Sequence, residues 1–247
     1  MIKYLIFLLS LSTTLSAQIM LPAYQGIQYK SPDCTTCVFC TSAGSSVATT
    51  VVEVTNPTTG KIWMDRNLGA TQVATSTTDV NSYGDLYQWG RLSDGHQCRI
   101  SATTGTLSSS DVPINANFIL APDSPYDWRN PQSTNLWQGV NGINNPCPTL
   151  YRIPTETEWN AERESWVQAP VSSTNNATGA FASPLKLQMA GNRSYMYNSV
   201  NNVQSSGRYW SSTVSGTFKR YLYFSSGYAF MDYQFPASGH SVRCIKN

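Results

Sequence analysis

Charge is scarce in this chain: 12% of its 247 residues are Asp, Glu, Lys or Arg, about half the share of an ordinary soluble domain. The 16 basic and 14 acidic side chains leave a formal net charge of +2, spread without a basic run. Nucleic acid and anionic membrane surfaces therefore find no electrostatic footprint here. Histidine is nearly missing, with His96 and His240 as the two examples. Neither stands in a nucleophile motif, so Ser–His–Asp hydrolysis has no support. Beyond the first residues no apolar run approaches the roughly 20 that a membrane-spanning helix needs. Solubility must come from Ser, Thr, Asn and Gly, as in many extracellular β-rich proteins.

Residues 1 to 17 read as a signal segment. Lys3 supplies the positive start, Tyr4 to Leu11 the apolar run, and Leu15-Ser16-Ala17 a small-residue cleavage site before Gln18. No cysteine sits at the cleavage point, so a lipid anchor is not expected there. The expectation is a secreted or cell-surface protein without membrane insertion. In that compartment the cysteines favour disulfides over thiols. Cys34, Cys37 and Cys40 are crowded, while Cys98, Cys147 and Cys244 are dispersed. Complete pairing needs at least one bridge between the two groups, and spacing fixes no connectivity. A metal site at the triplet lacks a nearby fourth Cys or His.

Residues 18 to 50 read as an extended, cysteine-containing arm, and 51 to 247 as a domain with a long insertion at about 93 to 146. Val47 to Val54 is rich in β-branched residues and reads as a strand. Asn56-Pro57-Thr58-Thr59-Gly60 is a turn, and Lys61 to Met64 resumes as the second arm of a hairpin. Tyr83 to Leu92 is a helix candidate, with Tyr83, Leu86, Tyr87 and Gly90 on one face and Gly84 and Gly90 against it. The insertion carries Phe118, Tyr126, Trp128 and Trp137, which predict that it packs down on the domain.

The clearest local signal follows Pro154. Thr155 and Glu158 form a capping box, and Trp159 and Trp166 share a helical face. Glu156, Glu162 and Glu164 are expected in solvent, as helix charges and not as acid–base catalysts. Ser172 to Ala182 reads as a loop and Leu185 to Met189 as a strand. Trp63, Trp89, Trp159 and Trp210 read as core. The tail from Gly207 supplies short strands separated by Ser/Gly turns. In Arg220 to Phe224, Leu222 and Phe224 should face the core, and Tyr221 and Tyr223 solvent.

The order of motifs resembles one family. Gly60-Lys61-Ile62-Trp63-Met64-Asp65-Arg66-Asn67-Leu68 comes first, then Tyr83-Gly84-Asp85-Leu86-Tyr87-Gln88-Trp89-Gly90. Cys147-Pro148-Thr149-Leu150-Tyr151-Arg152-Ile153-Pro154-Thr155 and Glu158-Trp159 follow; Tyr209-Trp210-Ser211-Ser212 and Ser241-Val242-Arg243-Cys244 close the set. This resembles the Fibrobacter succinogenes major paralogous domain, whose fold is related to C-type lectins and to formylglycine-generating sulfatase modifiers. The resemblance covers about residues 50 to 247. Leu150 departs from it, standing where Gly is usual, and so does His240, standing where an aromatic is usual. It implies an α+β, C-type-lectin-like fold: two helices flanking a twisted, mostly antiparallel sheet, rich in loops, with the first and last strands adjacent. It also implies a Cys147–Cys244 disulfide.

More narrowly, the tail resembles the retroelement-diversified segment of some bacterial and phage variable proteins of this fold. Leu222, Phe224, Val242 and Cys244 would be the frame. Tyr195, Met196, Tyr197, Asn202, Arg208, Tyr221, Tyr223, Tyr228, Asp232, Tyr233 and Gln234 would be the ligand-binding positions. Tyr among small polar residues is the palette of recognition surfaces, because Tyr offers large contact area for little entropy loss. The expected function is a non-catalytic binding or adhesion module for a protein or glycan on another surface, with a structural or filament subunit as the alternative. A sulfatase-modifier-like oxidase would need more reactive cysteines near the end than Cys244. A calcium-dependent lectin would need clustered oxygens, whereas Asp65, Asp79, Asp85 and Asp94 are scattered. No cofactor is expected, beyond room for a structural calcium ion.

Overall fold

The computed structural model describes residues 49–247 apart from 169–173. The predicted signal segment, most of the arm and the Cys34–Cys37–Cys40 triplet lie outside the described residues. Among the described residues, thirteen strands, two α-helices and a 3-10 turn make an α+β arrangement in which nearly all strand pairing is antiparallel.

The predicted hairpin forms between β1 (Glu53–Thr55) and β2 (Ile62–Met64). Asn56 closes its turn by accepting from the Thr58 amide at 2.8 Å, and Gly60 adopts φ +68, the left-handed region that glycine enters without strain. β1 is shorter than predicted, because residues 49–52 are not paired as a strand. The last strand, β13 (Ile245–Lys246), lies between β2 and β6 (Tyr151–Arg152), which places the two ends of the domain side by side.

β9 (Ser206–Ser215), β10 (Phe218–Ser225) and β11 (Ala229–Gln234) form an antiparallel meander. Helix α1 (Glu156–Ser165) packs across it. Both halves of the α1 capping box are present: Thr155 Oγ1 accepts from the Glu158 amide, and Glu158 accepts from the Thr155 amide at 2.9 Å. Trp159 and Trp166 are buried as expected, but Glu162 is buried too and not in solvent. It lies in the Trp159–Trp166 seam, where its carboxylate accepts from Asn56, Trp166 and Ser183.

Three further predictions are corrected. Tyr83 to Leu92 is not a helix; it holds β3 (Tyr87–Gln88), preceded by a 3-10 turn at Val80–Ser82. Gly84 and Gly90 sit at φ +65 and +85, and amides there bond to distant carbonyls, Leu86 to Gln97 and Trp89 to Pro236. The apolar spacing reflects burial on every side, not one helical face. The loop expected at Ser172 to Ala182 contains α2 (Ala177–Ala182), capped by Asn176. Leu185 to Met189 runs without strand pairing, with Lys186 at φ +50.

The remaining strands are short. β4 (Thr103–Thr104) and β5 (Phe118–Ile119) pair in parallel within the insertion. β7 (Asn192–Arg193), β8 (Val200–Asn201) and β12 (Gly239–His240) join β3. Phe118, Trp128 and Trp137 of the insertion are buried, as their apolar bulk predicts.

The meander separates two apolar clusters. Leu222 and Phe224 join Trp63, Trp159 and Trp166 on the helix side. Tyr221 joins Trp89, Trp137 and Trp210 on the other. All seven tryptophans are buried, so they act as core. Tyr221, expected in solvent, is 3% exposed: the insertion and the β12 segment cover the face that alternation alone assigns to water.

Candidate functional site

The motifs that carry the resemblance meet in the interior. Arg243 donates through Nε and Nη2 to Asn67 Oδ1 at 3.1 and 2.9 Å, and through Nη1 to the Leu185 carbonyl at 2.7 Å. Asn67 in turn donates to the Tyr83 carbonyl and to Tyr209. The buried Arg243 guanidinium thus joins its own segment to those of Asn67 and Leu185, and Asn67 extends the network to Tyr83 and Tyr209. Burial lowers its pKa to about 10, so it stays charged at neutral pH. Cys147 and Cys244 stand at disulfide distance, 2.10 Å between sulfurs, and tie the segment before α1 to the segment before β13.

His240 packs as an aromatic. Its ring stacks on Trp210 with centroids 4.1 Å apart and meets the edge of Tyr221 at 4.6 Å. Burial lowers its pKa well below the ordinary value and keeps it neutral. His96 is equally committed: its Nε2 accepts from the Gln88 amide and its Nδ1 pairs with Asp94, which also binds Arg91. Leu150, at the glycine position, has φ +72. Among the described residues no three Cys, His, Asp or Glu side chains gather in metal-binding proximity.

The predicted ligand-binding residues do not all lie on one surface. Arg208, Tyr221, Tyr223, Asp232 and Gln234 share one face of the meander, because Arg208 pairs with Tyr223, Tyr221 with Asp232, and Lys219 with Gln234. Tyr233 pairs with Arg220 and therefore faces the opposite way, its ring against Phe218 at 4.8 Å. Tyr195, Met196 and Tyr197 occupy the β7–β8 loop, where Tyr195 packs on Tyr126 and Phe235 and Tyr197 is exposed. Asn202 donates to Asn192 at 2.8 Å just beyond β8.

Sequence reasoning missed Phe230. It pairs with Tyr223 across the β10–β11 hairpin, and the alternation of β11 could have placed it there. Tyr223, Tyr228 and Phe230 form an aromatic trio with centroids 5.1 to 5.8 Å apart. Tyr228 is 56% and Phe230 40% exposed. The Arg208 guanidinium lies over Tyr223 at 5.4 Å and over Tyr221 at 6.0 Å, and the Tyr221 hydroxyl donates to Asp232. The face thus grades from a buried Trp210–Tyr221 floor to an open aromatic rim with one cation. Such a surface can stack flat groups and bind polar ones at its edge; its Tyr223–Tyr228–Phe230 rim carries no nucleophile-and-base pair.

No family model, curated protein or solved structure matches the chain.

Proposed function

We propose that this chain is an exported, non-catalytic binding module of C-type-lectin-like fold that recognises a protein or glycan on another cell surface through its carboxyl-terminal Tyr-rich face. The observation that carries the reading is the trio of half-buried Tyr223 with exposed Tyr228 and Phe230, beside Arg208. Exposed aromatic rings cost hydration free energy. Two of them packed on a half-buried third, all on one hairpin, suit recognition better than solubility, since little side-chain entropy remains to be lost on binding. The Cys147–Cys244 pair supports an oxidising compartment. Among the described residues no helix is long and apolar enough to cross a membrane.

The test replaces Tyr228 and Phe230 with Ser together and Arg208 with Gln separately. Folding is checked by thermal melting, and binding is screened on immobilised glycans and on intact cells. The double variant should melt like the parent and lose binding at least about tenfold, as expected when aromatic anchors are removed. Unchanged binding would move the function to the 93 to 146 insertion. Ordered self-assembly without any foreign ligand would favour a filament subunit instead.

A further inference from the structure

A cavity of about 390 Å³ opens where the Asp65–Gly69 loop meets the Gly84–Gln88 segment. Val51, Leu68, Pro146, Pro148 and the Cys147 bridge give it apolar walls, and Asp85 lies in its lining. Asp85 is 1% exposed, and its Oδ1 has no hydrogen-bond partner among the described residues. A buried carboxyl oxygen left without a donor is costly and is normally avoided.

The neighbours that could satisfy it are engaged elsewhere. Arg99 directs Nε to the Gly84 carbonyl at 2.8 Å and Nη1 to the Ala190 carbonyl at 2.9 Å. The Tyr87 hydroxyl lies 3.0 Å from Ser93 Oγ. Gly69 secures the placement: a Cβ there would fall 2.4 Å from Asp85 Cγ, so only glycine, at φ +79, lets the carboxyl reach this position.

We propose that this cavity binds a primary alkylammonium group, its nitrogen on the Asp85 carboxylate and its carbon chain along Val51, Leu68 and Pro146. The match is chemical. An ammonium brings three donors to a carboxyl whose Oδ1 has none among the described residues, and an alkyl stem suits walls of Leu, Val and Pro. An anion would bring only further acceptors to a site already short of donors.

The pH dependence is distinctive. Burial raises the Asp85 pKa to about 8, with Arg99 opposing, so at neutral pH an arriving ammonium displaces a proton. Affinity therefore rises about tenfold per pH unit up to about pH 8 and declines once the amine deprotonates near pH ~10. The other titratable side chain in the cavity lining is Tyr87. Tyr87 is raised further by burial and by Asp85 itself. On the facing loop, Asp65 and Arg66 are paired with each other at 2.7 Å. The residues named from the Thr49–Val51 and Pro146–Pro148 walls do not titrate.

The experiment is calorimetric titration of the full chain with n-pentylamine from pH 6 to 9, with 1-pentanol as the uncharged control. The amine should bind with the stated slope and the alcohol at least tenfold more weakly. Asp85→Asn should weaken amine binding at least tenfold and abolish the slope. Val51→Trp, at the exposed rim, should block binding with the melting temperature retained, which keeps the test decisive if Asp85→Asn misfolds. Two further titrants separate the sources of the group: Nα-acetyl-lysine amide stands for a protein side chain and 1,5-diaminopentane for a free polyamine, and the tighter one identifies the source. No amine binding at pH 8.5, binding independent of pH, or full binding by Asp85→Asn would overturn the proposal. None of these outcomes depends on the aromatic face.

Discussion

Glu162 and Asp85 are both carboxyl groups taken out of water, in two regions of the same interior. Glu162, in the seam between α1 and the hairpin turn, is met by Asn56 and Trp166 and by Ser183 from beyond α2. Asp85, beside the cavity, is met by no donor at Oδ1. The first arrangement holds three distant segments together, because a hydrogen bond made away from water is stronger than one made in it. The second contributes nothing to cohesion and raises the energy of the ionised folded state. The carboxyl with its acceptors filled holds segments together; the one with an unfilled oxygen beside a cavity is the candidate for use.

The largest test of this contrast is Glu162→Ala, which should cost about 3 kcal/mol in denaturant unfolding, because three buried donors lose one acceptor. A cost below that of Asp85→Asn would invert the comparison. Next comes the pH dependence of stability. Asp85 has a folded-state pKa raised to about 8, so between its unfolded value and pH 8 the folded state holds the extra proton. Its stabilising contribution is present at low pH and is lost as pH rises to 8.

His96 acts in the opposite direction. Burial lowers its pKa to about 4, and the stability it confers is present above about pH 6.5 and lost as pH falls towards 4. His240 has the same sign. Asp127, raised by burial to about 6, has largely titrated by pH 7. Between pH 6.5 and 8, therefore, the parent should lose up to about 2 kcal/mol relative to Asp85→Asn. Parallel curves for the two proteins would show that Asp85 is ionised in the folded state.

The smallest effect is local. Leu150 is 65% exposed and adopts φ +72, so Leu150→Gly should gain about 1 kcal/mol by relieving left-handed backbone strain. A loss would mean that the side chain contributes contacts that outweigh the strain.

Some of this architecture was legible in the residues because its causes are local. The α1 cap needs Thr155 and Glu158 three positions apart, and the β1–β2 turn needs Asn56 and Gly60; both formed where expected. Tyr83 to Leu92 misled because helical spacing and all-round burial look alike over eight residues, and two glycines with positive φ decided between them. α2 escaped because six residues with Gly and Thr carry no periodic signal; its Gly179 is instead required by close approach to the Thr174 carbonyl. Phe230 was passed over although the alternation of β11 puts it on the face of Asp232 and Gln234, and the hairpin register then sets it beside Tyr223.

The sequence by itself determined the scarcity of charge, the aromatic supply, the capped helix, the hairpin and the stretch from which an open face would be drawn. Those follow from composition and from interactions within a few residues. Only the tertiary structure decided that Tyr221 is floor and Phe230 is rim, that Glu162 is satisfied and Asp85 is not, and that Asn67 and Arg243 meet. Each of these depends on which distant segment covers a side chain, and a one-dimensional pattern does not carry that information: alternation assigns a residue to a face, but packing determines whether the face meets water.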